Sequence, residues 1–88
     1  GGSTADAVGK RLKILANNLQ IFVVTHQPQI AAKADLHFKI NKIQNSGKIK
    51  TIISKLKSEE IDREIARMIS GEEITDEALA AAKILQKN

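Results

Sequence analysis

The sequence predicts an α/β fold that combines helices, one buried strand and an antiparallel β-hairpin. Three observations indicate this class. Apolar residues recur at helical spacing near both ends of the chain, an unbroken apolar run lies at Ile21–Val24, and strict apolar/polar alternation begins at Leu36. These patterns divide the chain into an α/β part, residues 1–56, and a terminal helical hairpin, residues 57–88.

Length and composition bound the class of protein. The 88 residues, 42% hydrophobic and 27% charged, suit one globular domain or part of one. Because only 2% are aromatic, the core is expected to come from Ile, Leu, Val and Ala. The lack of cysteine excludes a disulfide framework and a thiolate metal site, and it suits a reducing cytoplasm. The first residue is Gly1 rather than Met, which predicts a piece of a longer protein.

The first predicted element is an amphipathic helix from Thr4 to about Asn18. Ser3 or Thr4 can cap its start, Asp6 is favourable in its first turn, and Asn17 and Asn18 predict its end. The apolar residues at helical spacing are Val8, Leu12, Leu15 and Leu19.

A strand is predicted at Gln20–Thr25, because its unbroken apolar run is typical of a strand covered on both faces. Pro28 suits the first turn of a short helix that reaches Lys33. Ligands of open α/β sheets bind outside the carboxyl ends of the strands. His26 lies at that end, where its imidazole either completes a strand-to-helix junction or faces an anion such as a phosphate.

An antiparallel hairpin is predicted next. The stretch "NSGK", residues 45–48, has turn chemistry between two alternating runs. One face of the first strand is predicted to hold Leu36, Phe38 and Ile40, and the other, wet face His37, Lys39 and Asn41. The second strand resumes the alternation with Ile49, Thr51 and Ile53. We expect this hairpin at an edge of the sheet.

Two helices are predicted after residue 57 and form an αα-hairpin joined by "SGEEI". Ser58 is expected to cap the first helix and Gly71 to close it. Thr75 is expected to cap the second, with Asp76 and Glu77 in its first turn. The residues expected to pack are Ile61, Ile65, Met68 and Ile69 in the first helix and Ala78, Leu79, Ala82 and Leu85 in the second.

The basic residues favour an anionic partner. The formal charge is +4, and lysines are concentrated at Lys39, Lys42, Lys48, Lys50, Lys55 and Lys57. Without Trp or Tyr there is no base-stacking platform, so any nucleic-acid contact is expected to be with phosphates and weak.

Residue spacing argues against several other sites. His26 and His37, with Asp35 nearby, lack the spacing of a metal-ligand set, so no metal site is predicted. Neither a Gly-rich phosphate loop nor a serine-hydrolase elbow occurs. Any phosphate chemistry therefore takes most of its groups from outside the chain.

The stretches "GGSTADAVGKRL" and "QIFVVTHQPQIAAKADLHFKINK" resemble the RecN DNA-repair ATPase family, relatives of the SMC proteins within the ABC-type ATPases. The resemblance continues to "EIARMISGEEITDEALAAAKIL", which looks like that family's terminal helices, and covers essentially the whole chain. It implies the C-terminal lobe of a P-loop NTPase, the ABC ATPase head, from a bacterial cytoplasmic protein associated with the nucleoid.

The resemblance also implies site residues. His26 matches the H-loop, or switch, histidine that reaches the γ-phosphate of ATP, with Thr25 and Gln27 flanking it. Gly1 and Gly2 match the tail of the D-loop, which crosses towards the opposite subunit of a nucleotide-sandwiched dimer. The implied cofactors of the parent protein are ATP and Mg²⁺. The implied partners are the remainder of the same head, a second head in a homodimer, and DNA, with no membrane.

The Walker A, signature and Walker B motifs of that family do not occur in the chain. We therefore expect the chain by itself to hold no nucleotide and to be no ATPase, because positioning and Mg²⁺ electrostatics supply most of the rate of phosphoryl transfer. The favoured interpretation is ATP-dependent head dimerisation in recombinational double-strand-break repair.

Three alternatives stay open. The chain can be a non-enzymatic interaction module that binds phosphates or an acidic protein through its lysine-rich hairpin, with a structural His26. It can come from another member of the superfamily, such as an SMC or a RecF-like protein. Finally, Gly1, Gly2 and Ser3 can be a cloning remnant.

Overall fold

The computed structural model describes residues 1–87 and shows a small α/β protein. A single two-stranded antiparallel sheet lies between two pairs of helices in the chain order. The elements are α1 (Gly2–Leu15), α2 (Pro28–Ala31), β1 (Phe38–Asn45), β2 (Lys48–Lys55), α3 (Ser58–Ser70) and α4 (Asp76–Lys87). The α/β class, the β-hairpin and the terminal helical hairpin are confirmed. None of the helices within residues 1–87 is long and apolar enough to cross a membrane.

Helix α1 begins two residues before its predicted start. The Ala5 N–H donates to the Gly1 carbonyl at 3.1 Å, so Ser3 and Thr4 lie inside the helix, and the prediction that one of them caps it is wrong. Asp6 forms an ion pair with Lys10 one turn later, at 3.1 Å. The helix ends at Leu15 and continues as turns to residues 17 and 18, close to the predicted end.

Helix α2 packs closely on α1 at Gly9. Gly9 is buried, and a Cβ atom added there would lie 2.8 Å from the Gln29 carbonyl oxygen and 3.2 Å from Cγ of Lys33. Because the Gln29 oxygen belongs to the backbone, it cannot swing away as a side chain would. Glycine at position 9 therefore sets the distance between the two helices.

We expect Gly9→Ala to destabilise the chain by about 1–3 kcal/mol, the usual cost of overpacking, despite the higher helix propensity of alanine. Urea unfolding followed by circular dichroism measures this loss. Gly2→Ala is the matched control, since its added Cβ would meet only the flexible end of Gln29 at 3.3 Å. Equal stability of the two variants would contradict the close packing at Gly9.

The strand predicted at Gln20–Thr25 does not form. These residues have no regular secondary structure, and Phe22 and Val24 are 83% and 93% exposed, so the expected cover on both faces is also absent. A parallel strand takes its hydrogen bonds from neighbouring strands. The two strands of residues 1–87 pair only with each other, and neither pairs with this segment.

The β-hairpin has the predicted turn. Ser46 and Gly47 both have positive φ, 51° and 77°, which is the type I′ geometry that matches the twist of two paired strands. The register pairs Ile40 with Ile53 and Asn45 with Lys48. The predicted apolar face is confirmed in its alternation, but its large residues are more than half exposed and the hairpin joins no larger sheet.

The core lies between α2, α3 and α4 and consists mostly of alanine. Ile65 is its one large fully buried side chain among the described residues, with 1% exposure. The other buried members are Ala32, Ala66, Ala78 and Ala82, packed against Ile61, Ile74, Leu79 and Leu85. The expected Val residues contribute nothing to this cluster, because they lie in α1 and in the segment that lacks a partner.

Local capping signals in the helical hairpin are largely confirmed. The Ala78 N–H donates to Oγ1 of Thr75 at 3.0 Å, and Gly71 ends α3 with φ of 83°. Ser58, however, is the first helical residue and not the cap. The Glu60 carboxylate instead accepts the N–H of Lys57, the N-cap residue, at 2.9 Å.

Glu64 on α3 ties the hairpin to the helices. Its carboxylate accepts from Nη2 and Nε of Arg67 at 2.5 and 3.0 Å and pairs with Nζ of Lys39 on β1 at 3.1 Å. The hydrogen bond from Arg67 is the main reason that the pKa of Glu64 is lowered, against the opposing effect of burial, with Lys39 adding to the lowering. The ionised carboxylate is therefore the form that the fold favours.

This pKa shift predicts a pH dependence of stability. Because the pKa of Glu64 is lower in the folded state, its contribution is fully present above the unfolded pKa and is lost as pH falls through the folded pKa. We expect Glu64→Gln to cost about 1 kcal/mol at neutral pH and nothing in acid. Urea unfolding of the wild type and of Glu64→Gln, from neutral pH down to pH values below the folded-state pKa of Glu64, measures the difference in stability. The exposed Glu73→Gln is the control, and a constant difference down to acid pH would contradict the assignment.

Candidate functional site

His26 stands at an exposed corner between residues 20–25 and α2. The Gln27 N–H donates to Oγ1 of Thr25 at 3.0 Å, so a hydroxyl turn closes around the histidine backbone. Pro28 then begins α2, where its missing N–H leaves no helical bond unmade. The corner is thus fixed on both sides of His26, while the imidazole itself is neither sealed in the core nor part of a helix.

Gly1 and Gly2 lie at the start of α1, which α2 crosses. A Cβ added at Gly2 would lie 3.3 Å from Nε2 of Gln29, whereas one at Gly1 would meet nothing within 4 Å. Gln29 follows His26 by three residues in the chain. Helix α2 therefore connects the N-terminal glycines with the histidine corner.

A groove of about 880 Å³ opens beside this corner. His26 lines it together with apolar side chains from residues 19–24, the hairpin and α3. These apolar residues include Leu19, Phe22, Phe38, Ile40, Ile61 and Ile65. Lys13, Lys33, Lys39 and Arg67 also line the groove, but each already has a partner: Lys13 pairs with Asp35, Lys39 and Arg67 pair with Glu64, and Lys33 donates to the Leu85 carbonyl. The chain thus presents an exposed imidazole beside an uncovered apolar surface.

The roles of two polar residues near the site, Lys33 and Gln29, were not predicted from the sequence. Lys33 is buried, and its Nζ donates to the Leu85 carbonyl at 3.1 Å near the end of α4, where the helix dipole favours a cation. The side-chain oxygen of Gln29 is buried and has no partner within residues 1–87. Their four-residue spacing was the available signal, but Gln29 lies in α2 and Lys33 follows its end, and the spacing does not tell which groups contact them.

His37 does not point to the wet face of the hairpin, contrary to prediction. Its Nε2 lies 2.7 Å from the Ala31 carbonyl oxygen, and its Nδ1 is buried without a partner in the described chain. Strand β1 begins at Phe38, one residue after His37. The alternation of side chains along β1 therefore does not set the direction of the His37 side chain. The structure therefore separates the two histidines: His37 is bonded to the backbone of α2 and His26 is exposed.

Comparison with known proteins identifies the relatives of the chain. No protein-family model matches it. It is similar to proteins named DNA repair protein RecN: 52% identical over 85 residues in Rickettsia bellii, 53% over 85 residues in Rickettsia prowazekii and 46% over 88 residues in Xylella fastidiosa strain 9a5c. These matches cover 97%, 97% and 99% of the chain.

The same matches cover 16%, 15% and 16% of the relatives, so the chain spans about a sixth of their length. The matched region contains the histidine corner, the hairpin and both terminal helices, since almost no residue of the chain lies outside it. The resemblance stated from the sequence is confirmed at this level: nearly the whole chain matches the C-terminal region of proteins named DNA repair protein RecN.

Proposed function

We propose that the chain supplies His26 as the switch histidine, and Gly1 and Gly2 as the D-loop tail, of an ATP-dependent DNA repair protein. The similarity to proteins named DNA repair protein RecN supports the process, and the exposed imidazole at a fixed corner supports the role of His26. In this proposal the chain completes the C-terminal lobe of a P-loop NTPase head. The parent protein works in the bacterial cytoplasm on chromosomal DNA.

The fixed backbone around His26 is the observation that carries the proposal. An imidazole N–H can donate to a phosphoryl oxygen, and its contribution is greatest when the donor is already oriented before the reaction. The hydrogen bond from Gln27 to Thr25 restrains the corner without using the imidazole. His26 therefore keeps its side chain free to orient a γ-phosphate.

The proposal also accounts for residues 20–25, the apolar segment before His26. Phe22 and Val24 are almost fully exposed, yet they belong to a run with the composition of a doubly covered strand. The rest of the head would pair with this run and cover it, which would place His26 at the carboxyl end of a strand in a parallel sheet. ATP and Mg²⁺, held mainly by residues outside the chain, would supply the phosphoryl group and its charge neutralisation.

The proximity of Gly2 and Gln29 links the two proposed site regions. A second head that displaces α1 would also displace the Gln29 backbone, three residues after His26, because α1 packs against it at Gly9. Dimerisation of two heads and the position of the switch histidine would then be coupled through α2. ATP turnover of the full-length His26→Ala protein tests the proposed function directly.

A further inference from the structure

Positive charge is segregated in the β-hairpin and its flanks. Residues 36–57 hold six of the 14 basic residues and none of the ten acidic ones, so this segment carries +6. The remainder, with eight basic and ten acidic residues, carries −2. The net charge of +4 therefore comes entirely from this segment. We call the paired strands β1 and β2 the lysine ribbon.

The ribbon lysines are displayed on a fully paired two-stranded frame. Every residue of β1 is paired with one of β2, and the type I′ turn leaves no flexible loop at the tip. Lys48 and Lys50 point to one face, about 7 Å apart along the strand. Lys42 points to the other face near the same tip, and all three are exposed.

These lysines lack acidic partners among residues 1–87. Lys39 is the ribbon lysine that forms an ion pair, with Glu64 of α3. Charges on exposed strands also discourage pairing between sheet edges, but charges of either sign serve that purpose. Because all charged residues of the ribbon are lysines, the ribbon also creates a local positive field that attracts polyanions.

We infer that the tip of the lysine ribbon contacts the phosphate backbone of duplex DNA through Lys42, Lys48 and Lys50. Three features favour the duplex. A two-stranded β-ribbon fits the major groove of B-DNA, where phosphates flank it on both sides. Lysines on both faces of the tip match that arrangement. The ribbon has no Trp or Tyr on which unpaired bases could stack. The inference rests on the proposed function in one respect, the choice of DNA as the polyanion.

The test compares two triple variants of the full-length protein that contains this chain. The ribbon variant is Lys42→Gln/Lys48→Gln/Lys50→Gln. The control is Arg11→Gln/Lys83→Gln/Lys87→Gln, which removes the same charge at exposed positions outside the ribbon. Fluorescence anisotropy measures binding of a labelled random-sequence duplex between about 50 and 200 mM salt.

We expect the ribbon variant to lose about three in the slope of log K against log salt, since each phosphate contact contributes about 0.9. The control should keep the wild-type slope.

An equal slope in both variants, an absence of duplex binding by the wild-type protein, or equal competition by polyglutamate at matched charge would each overturn the inference. Should the ribbon triple variant fail to fold, Lys50→Gln alone is expected to reduce the slope by about one, and an unchanged slope would count against the inference.

The outcome is distinguishable from failure of the proposed function. ATP turnover without DNA should be unchanged in the ribbon variant, because none of its three lysines lines the groove at His26. The His26→Ala protein should show the reverse pattern, with lowered turnover and a wild-type salt slope. Normal turnover in His26→Ala together with a reduced slope in the ribbon variant would leave the DNA contact standing alone.

Discussion

Replacing His26 by alanine in the full-length protein is expected to lower ATP turnover at least about tenfold, or about 1.4 kcal/mol of activation free energy. The reason is the loss of an oriented hydrogen-bond donor to the γ-phosphate, which the neighbouring backbone cannot replace. The fold should remain intact, because the imidazole is exposed and the hydrogen bond that fixes the corner joins Thr25 and Gln27.

A steady-state phosphate-release assay measures this change, and thermal unfolding checks the fold. Gln20→Ala is the matched control, since Gln20 is exposed in the same segment but six residues away from the corner. Its turnover should equal that of the wild type. Wild-type turnover in His26→Ala would remove the switch role from His26 and leave the interaction-module alternative as the better account of the chain.

The largest effect on stability is expected at Ile65. Truncation to alanine should cost about 2–5 kcal/mol, the range for a large apolar side chain in a packed core. Ile65 is the one large side chain that is fully buried among residues 1–87, and the other buried members of its core cluster are alanines, whose short side chains cannot fill the cavity. A loss of this size is comparable with the whole stability of a small domain.

Urea unfolding of the chain measures the loss, with Ile69→Ala as the control on the same helix. Ile69 is 40% exposed, so its truncation should cost less, about 1–2 kcal/mol. Equal losses at the two positions would mean that the core does not centre on α3 and α4. Loss of cooperative unfolding in Ile65→Ala alone would agree with the predicted magnitude.

Short-range signals were enough to predict several elements. Thr75 bonds the N–H of Ala78, Gly71 adopts the positive φ that closes α3, and Ser46 with Gly47 forms the hairpin turn. Each of these features involves residues within a few positions of one another. Their energetics are therefore contained in the local sequence, which is why the capping and turn rules predicted them.

Some features of the candidate site could be predicted from the sequence, and others could not. The residues around His26 indicated the family, and the comparisons confirmed that assignment. The turn from Thr25 to Gln27 and the approach of Gly2 to Gln29 came only from the structure. Sequence spacing does not reveal that α1 and α2 cross at a glycine, because that contact joins segments twenty residues apart.

The sequence by itself determined the helices, the β-hairpin, its concentration of lysines and the family. Tertiary structure decided that residues 20–25 form no strand, that His37 and Lys33 turn inward, and that alanines build the core. The physical reason is that periodicity records which side of an element is apolar but not what covers it. A parallel strand needs neighbours to complete its hydrogen bonds, and the described chain provides none beside residues 20–25.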